Sequence, residues 1–306
     1  PAVMGVGEAL HGAEQEQRCG QPRQHTEPFR HNARKFKKVV NVVHHHEHQR
    51  NGFKRRAGQA EFAIRCFTHA LQMQDDLEIH DYLSQAYIRT GELTLAYEQL
   101  QKLAEAQPDN QQIFIRMANV AYMMEDYGAM AGACEKAMLI DDKTAEVMYL
   151  YARACIGQED VTNAVAMLTK AISLKEDYGD AYLLRGETLL KNGDTDEADE
   201  DATWLIEHTE DNEDVMMLKA RIERAKGNTD AAKDYYTKVT DANPFNIDAY
   251  RERGELRLAT GDEKGGNEDI EHAKELTAQL PENNDEEGIE NKVKEKYKSM
   301  DPYGVF

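Results

Sequence analysis

Residues 179–212 read GDAYLLRGETLLKNGDTDEADEDATWLIEHTEDN, and this stretch decides the fold because its spacing recurs along the chain. Its small residue Gly186 has a small counterpart every 34 residues on both sides. The column consists of Ser84, Ala118, Ala152, Gly186, Ala220 and Gly254. Six matches at one interval indicate an internal repeat in which each unit is one supersecondary element.

Further columns keep this period and predict two helices in each unit. Large side chains stand four residues before the small ones, which puts both on one helical face: His80, Phe114, Met148, Tyr182, Met216 and Tyr250. Two more columns run through the second half of each unit: Ala96, Met130, Ala164, Ala198, Ala232 and Gly266, and then Leu103, Ala137, Ala171, Leu205, Val239 and Ala273. Between the halves stand Gly91, Gly193, Gly227 and Gly261, and glycine readily takes the positive φ that ends a helix.

The units join at turns such as Pro108-Asp109-Asn110 and Asn243-Pro244-Phe245-Asn246. Proline stops the second helix there, and asparagine can cap the first helix of the next unit. Together these spacings resemble the tetratricopeptide repeat. The resemblance implies an all-α fold, a right-handed superhelical solenoid of antiparallel helical hairpins.

The columns also set the predicted boundaries. The array spans residues 61–281 and begins with half a hairpin at 61–76. Six full repeats follow, at 77–110, 111–144, 145–178, 179–212, 213–246 and 247–280. Residues 282–306 are predicted to form a charged linker, a capping helix at 288–300 and a tail, because a repeat stack needs a polar cover at its end.

The segment before the array differs in composition. Residues 1–60 hold 11 Lys and Arg against 5 Glu, and they contain seven of the 11 histidines. The first helix expected near 44–57 lacks an apolar stripe. The segment therefore either folds irregularly over the array, or is disordered or not native to it. If that helix is absent, the exposed apolar end of the array is a candidate surface for a homodimer.

Charge and motifs limit the class of function. Beyond residue 60 the chain has 26 basic against 52 acidic residues, a field that repels nucleic acid and anionic membranes. No motif of the common nucleophile, metal or phosphate sites is present, so we expect neither catalysis nor a cofactor. A weak, adventitious metal site is conceivable at His44, His45, His46 and His48. Without a signal peptide or apolar span, we expect a cytoplasmic protein with free cysteines.

Two arginines predict ion pairs within hairpins. Arg185 and Arg253 each have an aspartate 16 residues downstream, Asp201 and Asp269, on the paired second helix. The alternative is a basic recognition ladder that Lys219 completes, since Lys219 faces Tyr235 at the same spacing. The recurrence of the acid favours structural pairs.

The resemblance implies that the first helices of successive hairpins line a concave groove for another protein or a peptide. Carried over by matching columns, the groove holds Asp81, Gln85, Ile115, Arg116, Asn119, Tyr122, Tyr149, Arg153, Leu183, Glu187, Met217, Arg221, Arg224, Arg251 and Glu255. Tyr122, Tyr149 and Met217 are the expected apolar anchors. Chaperone-binding members clamp a terminal carboxylate with Lys and Asn, and only Asn119 fits that pattern.

The sequence thus predicts a non-catalytic scaffold for protein interaction. The alternative is an assembly or regulatory module of an envelope or secretion pathway, whose true N-terminal signal or anchor is missing here.

Overall fold

The computed structural model describes residues 53–209 and 212–279. Thirteen α-helices fill these residues, and no β-strand occurs among them. They are α1 (Phe53–Met73), α2 (Leu77–Thr90), α3 (Leu93–Ala106), α4 (Gln111–Met123), α5 (Tyr127–Ile140), α6 (Ala145–Gly157), α7 (Val161–Leu174), α8 (Gly179–Asn192), α9 (Thr195–His208), α10 (Glu213–Ala225), α11 (Thr229–Ala242), α12 (Ile247–Ala259) and α13 (Glu263–Gln279). The fold is a helical repeat solenoid.

Each predicted full repeat contains one helical hairpin. Helices α2 and α3 occupy the first, and the even-numbered first helix pairs with the following odd-numbered helix through to α12 and α13. Every helix packs on its successor along the chain. The core therefore runs as a chain of small clusters between neighbouring hairpins, which is typical of a repeat array.

Small residues occupy the closest approaches between helices. Ala118, Ala152 and Ala220 are fully buried. At Gly186 an added Cβ would lie 2.9 Å from Leu218 Cδ2, and at Gly254 it would lie 3.0 Å from a backbone oxygen of α13. The column of small residues is thus required by packing, because a larger side chain would push the helices apart.

The turns inside the hairpins use left-handed backbone conformations. Gly91, Gly193, Gly227 and Gly261 have φ between 79° and 97°, which confirms the prediction for these four units. The two remaining turns place Glu125 (φ 59°) and Glu159 (φ 63°) in the same conformation. The sequence did not signal these two, because a side chain there costs energy that tertiary packing has to offset.

Helix α1 is longer than predicted. It begins at Phe53, eight residues before the expected boundary at Glu61, since residues 54–60 contain mostly good helix formers. Ala63, Phe67 and Ala70 are buried, and the Phe67 ring stacks on Tyr82 of α2 at 5.5 Å. Phe62 and Met73 of α1 are exposed, at 53% and 58%. An apolar end of the array that forms a homodimer stays a prediction.

Several predictions fall on other parts of the chain. The four candidate metal histidines at 44–48 and the capping helix at 288–300 lie outside the described residues.

Cys66, Cys134 and Cys155 are free thiols, and burial raises the pKa of Cys134 to about 12. None of the described helices has both the length and the apolar character that crossing a bilayer requires.

Candidate partner-binding site

We define the first-helix face as the surface that α2, α4, α6, α8, α10 and α12 present away from their second helices. Neighbouring first helices contact each other directly, as α4 does with α6 and α8 with α10. The predicted groove residues all lie on these six helices. Side chains from different repeats therefore meet where these first helices contact each other.

In the first two hairpins, Arg116 of the first-helix face already binds side chains of this chain. Arg116 forms an ion pair with Asp81, and its guanidinium also donates to the Ser84 hydroxyl at 2.6 Å. Asp81 accepts a further hydrogen bond from Gln85 at 3.1 Å. These contacts join α2 to α4, so Arg116, Asp81 and Gln85 have a structural role before any partner arrives.

The third hairpin carries an aromatic and cationic cluster. The Arg153 guanidinium lies 3.7 Å from the centre of the Tyr122 ring and 5.7 Å from that of Tyr149. Tyr149 in turn lies 5.3 Å from Tyr178, ring centre to ring centre. Burial raises the pKa of Tyr149, while the charge of Arg153 opposes this effect. The predicted residues Tyr122, Tyr149 and Arg153 thus come together in one half-buried cluster, and Asn119 is half-buried one repeat earlier.

The fifth and sixth hairpins are joined by ion pairs across the face. Arg221 donates to Glu252 at 2.7 and 3.0 Å, and Glu252 also accepts from the Tyr236 hydroxyl at 2.9 Å. Arg224 donates to Glu255 at 3.3 Å. Burial by itself raises the pKa of Glu252, but the bonds from Arg221 and Tyr236 outweigh it, so the pKa lies below its ordinary value.

Three other predicted residues differ in how far a partner could reach them. Met217 is only 5% exposed and packs in a core cluster with Ala249 and Leu256 of α12, so a partner could not use it as an anchor without displacing that helix. Leu183 is half-buried. Glu187 is exposed, yet the protein around it removes enough water to raise its pKa.

The two predicted ion pairs within hairpins are confirmed. Arg185 donates to Asp201 at 2.6 and 2.9 Å, and Arg253 donates to Asp269 at 2.7 and 2.8 Å. Lys219, which was expected to face Tyr235, forms ion pairs with Asp199 of α9 and with Glu223. Arg185, Arg253 and Lys219 are therefore all ion-paired within the chain.

Sequence reasoning missed the partners that join different repeats. The pairs Arg221 with Glu252 and Arg224 with Glu255 are 31 residues apart, whereas Arg116 and Asp81 are 35 apart. A search for charge pairs at these spacings could have found them. Among the described residues, no three His, Cys, Asp or Glu side chains are placed to hold a metal ion.

Comparison with known proteins identifies the repeat. Family profiles of the tetratricopeptide repeat match residues 145–178 and 217–265. No curated protein sequence matches the chain.

Solved structures share the architecture. PilW, described as a widely conserved type IV pilus biogenesis factor, is 18% identical, with a TM-score of 0.58 over 70% of this chain and 97% of its own. The Pseudomonas aeruginosa protein pilF is 14% identical, with a TM-score of 0.55 over 74% of this chain and 99% of its own. The C-terminal part of a repeat protein from Cytophaga hutchinsonii is 14% identical, with a TM-score of 0.55 over 75% of this chain and 97% of its own. At these identities the likeness shows the fold alone.

Proposed function

We propose that this chain, which belongs to the tetratricopeptide-repeat family and is a scaffold for protein interaction, binds a peptide segment of a partner along its first-helix face without catalysing a reaction. The residues proposed to contact the partner are Arg116, Asn119, Tyr122, Tyr149, Arg153, Leu183, Glu187, Arg221 and Arg224, with Met217 beneath them as core.

The cluster of Tyr122, Tyr149 and Arg153 carries this proposal. Tyrosine and arginine dominate the binding energy of protein interfaces, because both offer a large apolar area together with a polar group. Here they are half-buried and held against each other, so little conformational entropy remains to be lost on binding. A partner can cover the rings and bond to the guanidinium at once.

The structure around the cluster supports a preformed surface. On both sides of it the first helices are tied together by ion pairs between repeats, at Arg116 with Asp81 and at Arg221 with Glu252. Such ties keep neighbouring first helices at a fixed spacing. A segment that binds across several repeats then meets contacts whose positions are already set.

The proposal is tested by capturing the partner from the cell of origin with the purified chain, and then repeating the capture with the double variant Tyr149→Ala/Arg153→Ala. We expect the partner to be lost. The matched control is Lys102→Ala/Leu139→Ala, which removes an exposed cation and an exposed apolar side chain from second helices. Equal capture by the double variant and the wild type would contradict the groove.

A further inference from the structure

The arginines of the first-helix face are not equivalent. Five arginines were expected to line it, and four of them pair with a carboxylate of this chain: Arg116 with Asp81, Arg221 with Glu252, Arg224 with Glu255, and Arg251 with Asp248. Within the described residues, Arg153 contacts the rings of Tyr122 and Tyr149 and forms no ion pair.

The absence of a carboxylate at Arg153 follows from the repeat geometry. Arg221 and Arg224 pair with the residue 31 positions ahead, and Arg116 pairs with the residue 35 positions behind. For Arg153 those two positions are Leu184 and Ala118. Both are apolar, so the spacings that neutralise Arg116, Arg221 and Arg224 offer no carboxylate to Arg153.

The stacking also prepares Arg153 for a carboxylate. A guanidinium that lies over a ring uses its face, which leaves the N–H donors in its plane available at the edge. Those donors form a rigid fork that matches the two oxygens of a carboxylate. Since the Tyr122 ring at 3.7 Å already limits the side-chain conformers, binding costs less entropy than it would for a mobile arginine.

Nearby charges restrict what else the partner carries. Burial is the main cause of the raised pKa of Tyr149, and the nearby Asp180 and Glu187 add to it. Glu146 stands one turn before Tyr149 on α6. Among the described residues none of these three carboxylates forms an ion pair. They disfavour a segment with an overall negative charge and favour basic side chains beside the carboxylate.

We infer that the partner segment places one Asp or Glu side chain on Arg153, between basic residues that meet Glu146, Asp180 and Glu187. This inference rests on the proposed function, because it specifies the chemistry of the segment that binds the first-helix face. It commits to an acidic side chain within the segment.

The first experiment selects random 12-residue peptides, with blocked termini, on the purified full chain. We expect the selected peptides to be enriched in Asp or Glu flanked by Lys or Arg. A parallel selection on Arg153→Gln should keep the basic residues and lose the enriched acid. Acid enrichment that is absent in the wild type, or unchanged in the variant, overturns the inference.

The second experiment exchanges the charges. With one selected peptide, fluorescence anisotropy should show at least about tenfold weaker binding to Arg153→Gln. Arg153→Glu should bind the peptide in which the acid is replaced by lysine better than it binds the original peptide. Lys102→Gln, an exposed cation on α3, is the control and should leave affinity within about twofold.

A third experiment supplies Arg153 with a carboxylate from its own chain. Leu184→Glu places a carboxylate 31 residues after Arg153, at the spacing by which Glu252 follows Arg221. It should weaken peptide binding as strongly as Arg153→Gln does. Leu184→Gln controls for the loss of the partly buried leucine. Equal affinities of these two variants would contradict the inference.

These results separate the inference from the proposed function. In one outcome the selected peptides bind the wild type and not Tyr149→Ala/Arg153→Ala, but they show no acidic residue that depends on Arg153. That outcome contradicts the inference and leaves the proposed function standing. If no peptide is enriched above a column without protein, the proposed function fails and the inference fails with it.

Discussion

The Arg253 guanidinium donates two hydrogen bonds to the Asp269 carboxylate, at 2.7 and 2.8 Å, and both side chains are buried. Thr240 accepts a third bond from Arg253, and Arg257 donates to the same aspartate at 2.8 Å. A buried charge pair is weak evidence of net stabilisation, but a break in it leaves a charge without compensation. The last hairpin therefore depends on both partners being present.

Asp269→Ala should destabilise the array by about 3–5 kcal/mol, because it leaves Arg253 buried without a counter-charge. The measurement is urea unfolding followed by circular dichroism, with the loss read from the free energy of unfolding. Glu271→Ala, an exposed carboxylate on the same helix, should change it by less than about 0.5 kcal/mol. Similar losses in the two variants would show that the buried pair has no special role.

Glu159→Gly should stabilise the protein by about 1 kcal/mol, since Glu159 has φ 63° and a left-handed conformation is costly for any residue with a Cβ. Gly193→Ala is the reverse change at the equivalent kind of turn. It should destabilise by a similar amount although nothing lies within 4 Å of the added Cβ. The midpoints of urea unfolding should move in opposite directions, and movement in the same direction would refute the role of φ.

Gly157→Ala should destabilise by about 1–3 kcal/mol, because its Cβ would lie 2.3 Å from the ring of Tyr127 on the preceding second helix. Gly132→Ala is the matched control inside α5, where nothing lies within 4 Å of the new Cβ. That variant should stabilise by about 0.5–1 kcal/mol through helix propensity. A Gly157→Ala protein as stable as the wild type would mean that Tyr127 moves aside without cost.

Low pH should weaken the ion pair of Arg221 with Glu252, which joins the fifth and sixth hairpins. The folded-state pKa of Glu252 lies below its ordinary value of 4.5, so its contribution is complete above that value and is lost as pH falls through the folded pKa. In a series of urea unfolding curves from pH 7 to pH 3, Glu252→Gln should show a smaller loss of stability than the wild type. If the free energy of unfolding of Glu252→Gln had the same pH dependence as that of the wild type, the ion pair of Glu252 with Arg221 would not contribute to stability.

Glu187 should respond in the opposite sense. Although Glu187 is exposed, the protein around its carboxylate removes enough water to raise its pKa. Its ionised form therefore disfavours folding above pH 4.5, and the penalty is relieved as pH falls. Glu187→Gln should therefore be more stable than the wild type at pH 7, and the difference should shrink toward pH 4. The same unfolding series measures it, and a variant that is less stable at pH 7 would rule out the burial effect.

Much of the fold could be predicted because its signals repeat along the sequence. The column from Ser84 to Gly254 marked the first helix of each hairpin, because a close approach between helices requires a small residue in every repeat. Gly91, Gly193, Gly227 and Gly261 marked four of the turns, since their backbone conformation is local. The pair of Arg185 and Asp201 was also predictable, because both residues belong to one hairpin and the same pair recurs two repeats later as Arg253 and Asp269.

The candidate site was predictable only as a set of positions. The columns put Arg116, Arg153 and Arg221 on one face, but they did not show which of them is neutralised. That outcome depends on whether the neighbouring repeat presents a carboxylate within reach. Lys219 shows the same limit, since its partner Asp199 lies on the preceding hairpin rather than at the expected spacing.

The sequence by itself determined the period, the helical hairpins, the glycine turns and the ion pairs within hairpins, because these follow from local conformation and from spacing inside one unit. Only the tertiary structure decided that Met217 is core, that Glu159 adopts a left-handed conformation, and that Arg153 lies on Tyr122 without a carboxylate. Each of these depends on how one repeat packs against the next, which the spacing within a single unit does not specify.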